Sequence, residues 1–312
     1  MKKIITFKIG IFVLLGITGK SIFAQQDAMY THYMYNTLAV NPAYAGTRDA
    51  LTVTALNRSQ WVGFDGAPNT QTLTIHTPFK RKNIGLGLSL INDKIGPIRT
   101  TSFYGDFAYI IKINDKSKLS LGLKGGASLF QANLSSLDLN SQNDVTFQNN
   151  TLSKLLPNFG FGMYYYRKQF YAGISSPKLL QNNLKIKSSS MVMKPEQKHY
   201  FFIIGSVFKL AKKLDFKPTA LVKVTESAPI EVDFTGTFVL NKKLLLGATY
   251  RTGDALAALL GFQINNQFMI GYSYDWSYGL KTSKYNGGSH EIMFRYDFSF
   301  KDKEKVSSPR YF

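Results

Sequence analysis

The chain contains no cysteine, which excludes a disulfide scaffold and a cysteine-ligated metal centre. Acidic residues are scarce too: 19 Asp and Glu against 38 Lys and Arg leave a formal charge of +19 over 312 residues. Only four histidines are present, His32, His76, His199 and His290, and none has metal-ligand spacing; His290-Glu291 lacks the second histidine of the HExxH zinc motif. A barrel lipase would need a serine and a histidine brought together, but nearly any serine here could be nominated, so that pattern discriminates nothing. The glycine-rich GLKGGAS at 122 to 128 lies inside a strand pattern and opens no helix, which argues against a phosphate cradle. No enzymatic activity, cofactor or metal is therefore expected. Nucleic acid is not expected either, since the basic charge comes without a helical basic stripe or a recognisable motif.

What is abundant is aromatic and apolar: 24 Phe and 18 Tyr bring the aromatic share to 14%, too much for a disordered chain. The first 24 residues, MKKIITFKIGIFVLLGITGKSIFA, carry Lys2 and Lys3, then an apolar stretch from Ile9 to Ile17. They read as an export signal cleaved between Ala24 and Gln25. The apolar stretch is shorter than the roughly 20 residues of a spanning helix. Cleavage would remove Lys2, Lys3, Lys8 and Lys20 and leave a formal +15.

Beyond residue 50 one format repeats, about ten residues of period-two alternation and then a turn. Fourteen such segments fall at 51–61, 71–79, 84–92, 100–113, 118–131, 158–167, 169–176, 199–209, 214–225, 231–240, 244–252, 254–264, 267–278 and 288–300. An even number of strand-length units predicts an all-β transmembrane up-and-down antiparallel barrel over residues 51–300, because closure leaves no unpaired strand edge in lipid. In NIGLGLSLIN, residues 83 to 92, Ile84, Leu86, Leu88 and Leu90 would face hydrocarbon, with Gly85, Gly87 and Ser89 facing the lumen. Ile270, Tyr272, Tyr274, Trp276 and Tyr278 alternate in the same way with Gly271, Ser273, Asp275, Ser277 and Gly279. A soluble sandwich also alternates, but it turns its charged face outward and seldom needs so many aromatics at strand ends. The expected lumen face carries Asp106, Lys124, Lys217, Lys223, Glu231, Asp233, Arg251, Glu291, Arg295 and Asp297, as interior salt bridges or as the lining of an ion-selective pore.

Linkers after even-numbered segments are short and mostly basic, as in KRKN at 80–83 and NKK at 241–243. Those after odd-numbered segments are mostly longer, with RTGD at 251–254 the exception. Outer-membrane barrels keep short turns in the periplasm and long loops outside, which would place both termini of the barrel in the periplasm. Ahead of the first strand, residues 25–50 hold QQDAMYTHYMYNTLAVNPAYAG, where Tyr33, Tyr35, Asn41, Pro42 and Tyr44 form either an ordered lead-in or a plug folded into the lumen. A charged tail, 301–312, follows the last strand.

YMYNTLAVNPAYAG at 33–46, RSQWVGFDGAPNTQTLTIHTP at 58–78, GLGLSLINDKIGP at 85–97 and NGGSHEI at 286–292 together resemble the PorP/SprF family of Bacteroidetes outer-membrane proteins. The likeness extends through FKPTALVKV at 216–224, GATYRTGDALAALLGFQI at 247–264 and the terminal SPRYF. It implies a non-enzymatic part in type IX secretion at the outer membrane. The expected partners are a secreted surface protein with a C-terminal sorting domain, such as an adhesin used in gliding, or components of the secretion ring. The family carries no catalytic set, so candidate partner contacts rest on motif density and loop position: Trp61, Phe64, Asp65 and Pro68 in or beside the first outer loop, and Asn92, Asp93, Lys94, Gly96 and Pro97 in the second. The competing expectation is a passive porin or small-solute channel.

Overall fold

The computed structural model describes residues 28–48, 50–79, 83–133, 151–182, 184–185, 192–193, 197–225, 228–278 and 286–298. The cleavage site at Ala24 and Gln25 and the tail at 301–312 lie outside them. The strands are β1 (Leu51–Ser59), β2 (Asn69–Phe79), β3 (Ile84–Ile95), β4 (Ile98–Asn114), β5 (Ser117–Asn133), β6 (Thr151–Arg167), β7 (Phe170–Ser176), β8 (His199–Ser206, continued by Phe208–Ala211), β9 (Leu214–Thr225), β10 (Ala228–Leu240), β11 (Leu244–Arg251), β12 (Ala255–Gln263), β13 (Phe268–Ser277) and β14 (Ser289–Phe298). Val207 interrupts β8, its N–H turning 2.9 Å to the carbonyl of Gln169.

Every strand pairs antiparallel with its neighbours in the chain, β8 pairs with both β7 and β9, and β14 returns to β1 with Phe298 opposite Leu51. The result is the closed 14-strand antiparallel barrel that the alternation called for. Among the described residues no helix is long and apolar enough to cross a membrane; the chain crosses with strands. Closure matters because hydrocarbon offers no hydrogen bonds to a free strand edge.

The two faces separate as the pleat dictates. Leu86, Leu88, Leu90, Tyr272, Tyr274 and Trp276 point outward, Trp276 with 61% of its surface exposed. Inward lie Ser89, Ser273, Asp275 and Glu291 together with the charged lumen positions; all of those ten are buried except half-buried Glu231.

Three boundaries differ from expectation. β6 starts at Thr151, inside the stretch read as loop, and pairs with β5 out to Asn133. β3 continues to Ile95, so Asn92, Asp93 and Lys94 are strand residues opposite Thr101, Thr100 and Arg99, and Gly96 and Pro97 alone form the turn. Short connections also occur at 96–97, at 252–254 and between Thr225 and Ala228, so the long-and-short rule holds less strictly than the sequence implied. The reason is common to all three: hydrophobic alternation marks the lipid-facing band, whereas backbone pairing runs on past it into polar residues.

Residues 28–48 occupy the interior of this ring, in short turns of 3-10 helix at Thr37–Ala39 and Pro42–Tyr44. From Tyr30 to Ala45 every residue is buried. The glycines of the opening motif explain the fit. A Cβ on Gly85 would overlap the Ala45 carbonyl, and one on Gly122 would overlap the backbone of Ala43. Bare backbone on the lumen face is thus a packing surface for a second backbone.

Gly85→Val and Gly122→Val should therefore destabilise the refolded barrel by at least about 1–3 kcal/mol through overpacking. Leu88→Met, on the lipid face, should change it little. Urea titration in lipid vesicles, followed by tryptophan fluorescence, measures both; equal midpoints would contradict the fit.

Candidate functional site

The inner segment is held by charge at two levels of the wall. Near the end of the barrel that carries the 60–68 connection, Glu291 on β14 accepts the backbone N–H groups of Thr31 (2.9 Å) and His32 (2.7 Å). The same carboxylate accepts from His32 Nδ1 at 2.7 Å, which a carboxylate requires to be the protonated nitrogen. Thr31 donates its hydroxyl to Asp275 at 2.7 Å, and Arg58 bridges Asp275 at 2.7 Å and Glu291 at 3.4 Å. Arg251 extends the cluster, forking onto Asp233 at 2.9 and 3.2 Å and reaching Asp254 at 3.3 Å and Asp275 at 3.4 Å. Near the other end, Arg48 forks onto Asp297 at 2.7 and 3.2 Å, and Thr52 donates to the same carboxylate at 2.7 Å. Each charge is paired and all but half-buried Asp254 are buried, the arrangement that lets ionised groups persist away from water.

Between these levels the contacts are aromatic and amide. The Tyr33 hydroxyl lies 3.0 Å from that of Thr219 and 3.3 Å from that of Thr235. Tyr35 presents its ring to Lys217 at 5.0 Å and to Arg295 at 5.6 Å, from opposite walls. Asn41 caps the Pro42 turn through the Ala43 N–H at 2.9 Å and donates to the Met163 carbonyl at 3.2 Å. Tyr44 meets Tyr164 edge to face at 5.5 Å. Tyr33, Tyr35, Asn41, Pro42 and Tyr44 are thus all buried, against walls that together surround them.

The partner-contact candidates divide. Trp61 starts a turn at φ +49°, its N–H donating 3.1 Å to Ser289 Oγ. Val62 exchanges backbone bonds with Gly287 (2.7 Å) and Gly288 (2.8 Å), so the WVGFDG and NGGSH motifs meet in space. Gly96 donates 2.9 Å to the Gly66 carbonyl and joins the two connections. Phe64 and Asp65 remain exposed on this surface, as does Val62, while Pro68 is half-buried with its carbonyl bonded to Gln60. Asn92 and Asp93 do local work: Thr101 donates to Asn92 at 3.1 Å and Thr70 to Asp93 at 2.6 Å, holding strands together. Lys94 stands free of that pairing and exposed.

Arg58 shares the parity of Thr52 and Thr54 on β1, which is the one local signal of its place on the lumen face. Thr31, His32 and Arg48 gave no such signal, because they precede the alternating pattern. Their roles come from the wall residues they meet.

A closed, lipid-banded strand ring with a polar, filled interior defines an outer-membrane β-barrel protein. Among solved structures, the CymD monoaromatic hydrocarbon channel matches with TM-score 0.52 and 8% identity, over 84% of this chain and 92% of that one. The Pseudomonas putida toluene transporter TodX matches with TM-score 0.46 and 8% identity, over 85% and 95%. A Pseudomonas aeruginosa FadL homologue gives 0.45 and 13%, over 83% and 93%. At such identities the likeness concerns the fold. No curated protein sequence matches the chain. The family model described as type IX secretion system membrane protein PorP/SprF matches residues 22–296, and the chain belongs to that family. It is accordingly a type IX secretion membrane protein of the outer membrane.

Removing one partner from a buried ion cluster leaves its neighbour uncompensated, at a cost of about 3–5 kcal/mol. Arg58→Ala should lower the unfolding midpoint of the barrel by that order, and Lys94→Ala, exposed and outside the cluster, should leave it unchanged. Urea unfolding of the two variants side by side tests the assignment.

Proposed function

We propose that this barrel is a non-enzymatic accessory of type IX secretion that assists the export or surface attachment of a sorting-domain-bearing protein, docking either that cargo or the secretion ring. An adhesin used in gliding is one cargo of this class. The observation that carries the reading is the filled lumen in a member of this family. Residues 28–48 touch the wall all round and are tied to it by the buried Arg48–Asp297 ion pair and by hydrogen bonds to the buried Glu291 carboxylate, so the barrel works through its surfaces and not as a passive pore. The long connections face the exterior in this reading, following the general design of outer-membrane barrels. The surface made by Val62, Phe64 and Asp65, braced by Gly66–Gly96 and by the 287–288 backbone, is then the docking face.

Two measurements test this. Tagged protein extracted from outer membranes in mild detergent should bring with it a large surface protein or secretion-ring components, and a Phe64→Ala, Asp65→Ala double variant should lose most of that recovery. The barrel alone, from a preparation that keeps other complexes intact, would favour a small-solute channel. In planar bilayers the complete chain should show no steady conductance, whereas deletion of residues 28–45 should open one. Steady conductance of the complete chain, unchanged by the deletion, would overturn the plug.

A further inference from the structure

The direction in which the inner segment runs can be read from two strands, β2 and β14, that flank β1 in the wall. On β2, which descends from Asn69 at the 60–68 end to Phe79 at the short-turn end, the segment contacts come in order. Thr72 meets Tyr30 at 2.9 Å, Thr74 meets Asn36 at 2.7 Å, and His76 accepts the Gly46 N–H at 3.2 Å. On β14, which descends from Ser289 to Phe298, the order repeats: Glu291 holds Thr31 and His32, Arg295 faces Tyr35, and Asp297 holds Arg48. From Glu291 to Asp297 the strand advances six residues, about 20 Å at roughly 3.3 Å per residue. The segment therefore threads the lumen from one mouth to the other, its carboxyl end beside the start of β1 at the short-turn mouth. Its amino-terminal end, half-buried Ala28 and Met29, lies at the mouth formed by the long connections.

We infer that the amino-terminal end of the lumenal segment is presented to the cell exterior, beside the Trp61–Pro68 connection, where an extracellular polypeptide reaches it without entering the periplasm. The inference rests on the outward orientation of the long connections taken above. A lead-in to a first strand at the short-turn mouth would have been expected to start in the periplasm. Here the described segment has its amino-terminal end, Ala28, at the opposite mouth and runs back to the first strand.

The absence of native cysteine makes the test direct. Single-cysteine variants Ala28→Cys, Asp65→Cys and Lys116→Cys, expressed in cells, are treated with a maleimide on a polymer too large to cross the outer membrane. Labelling is scored before and after permeabilisation, against the fully denatured protein. Asp65→Cys reports the long connections and Lys116→Cys the β4–β5 turn. The expected result is that Ala28→Cys labels on intact cells as Asp65→Cys does, with no gain on permeabilisation, while Lys116→Cys labels only afterwards. Ala28→Cys behaving like Lys116→Cys, with Asp65→Cys still labelled from outside, overturns the inference and leaves the orientation standing. Label on Ala28→Cys only after denaturation likewise overturns it, since the mouth is then shut. If Asp65→Cys and Lys116→Cys exchange behaviour, the orientation itself fails and the surface presentation fails with it.

Discussion

Hydrocarbon supplies no hydrogen bonds, and the rest of this structure follows from that constraint. A sheet that crosses the membrane must close on itself, and closing fourteen strands leaves a ring too wide for its own wall side chains to fill. The chain resolves this with its own leading segment. Once a second layer of backbone occupies the interior, the wall must leave room for it, and so the lumen face of β3 carries glycine where an outward position carries leucine. Lipid on one side and a packed segment on the other explain an alternation that a soluble core would not produce.

The charges belong to the same logic. Carboxylates and guanidinium groups distributed on β1, β9, β10, β11, β13 and β14 would repel or draw water in an empty pore. In the filled lumen Arg58, Asp233, Arg251, Asp275, Glu291 and Asp297 converge on Thr31, His32 and Arg48 or on one another. Buried ion pairs of this kind add little net stability compared with apolar packing, but they are unforgiving of error, because one missing partner strands the other. They fix the register of the segment against the wall. Between the two charged levels Tyr35 and Tyr44 fill volume and Tyr33 reaches wall hydroxyls, and neither end of the segment can slide without breaking bonds to a buried carboxylate.

The buried interior contrasts with one mouth of the barrel, where side chains stay exposed. Two motifs far apart in the chain, WVGFDG and NGGSH, exchange main-chain hydrogen bonds at one mouth, and the leading end of the segment lies at that mouth as well. Phe64 and Val62 stay exposed there although the turn around Trp61 is well braced, an arrangement suited to binding and not required for folding.

The strands and their two faces were determined by the sequence alone, since alternation against lipid is a local pattern: the aromatic row from Tyr272 to Tyr278 and the serine and aspartate row between its members declare both sides of β13. The ten charged positions on the lumen face followed from the same parity. Strand ends did not, because at Asn92–Lys94 and at Thr151 the backbone ladder outruns the apolar band that marks it. Tertiary structure alone decided where residues 28–48 go, which way they run, and that Glu291, Asp275 and Arg58 meet at Thr31. Apart from Arg58 with Thr31, those contacts join residues more than two hundred positions apart across a closed ring, and no local periodicity records which points of a ring face each other.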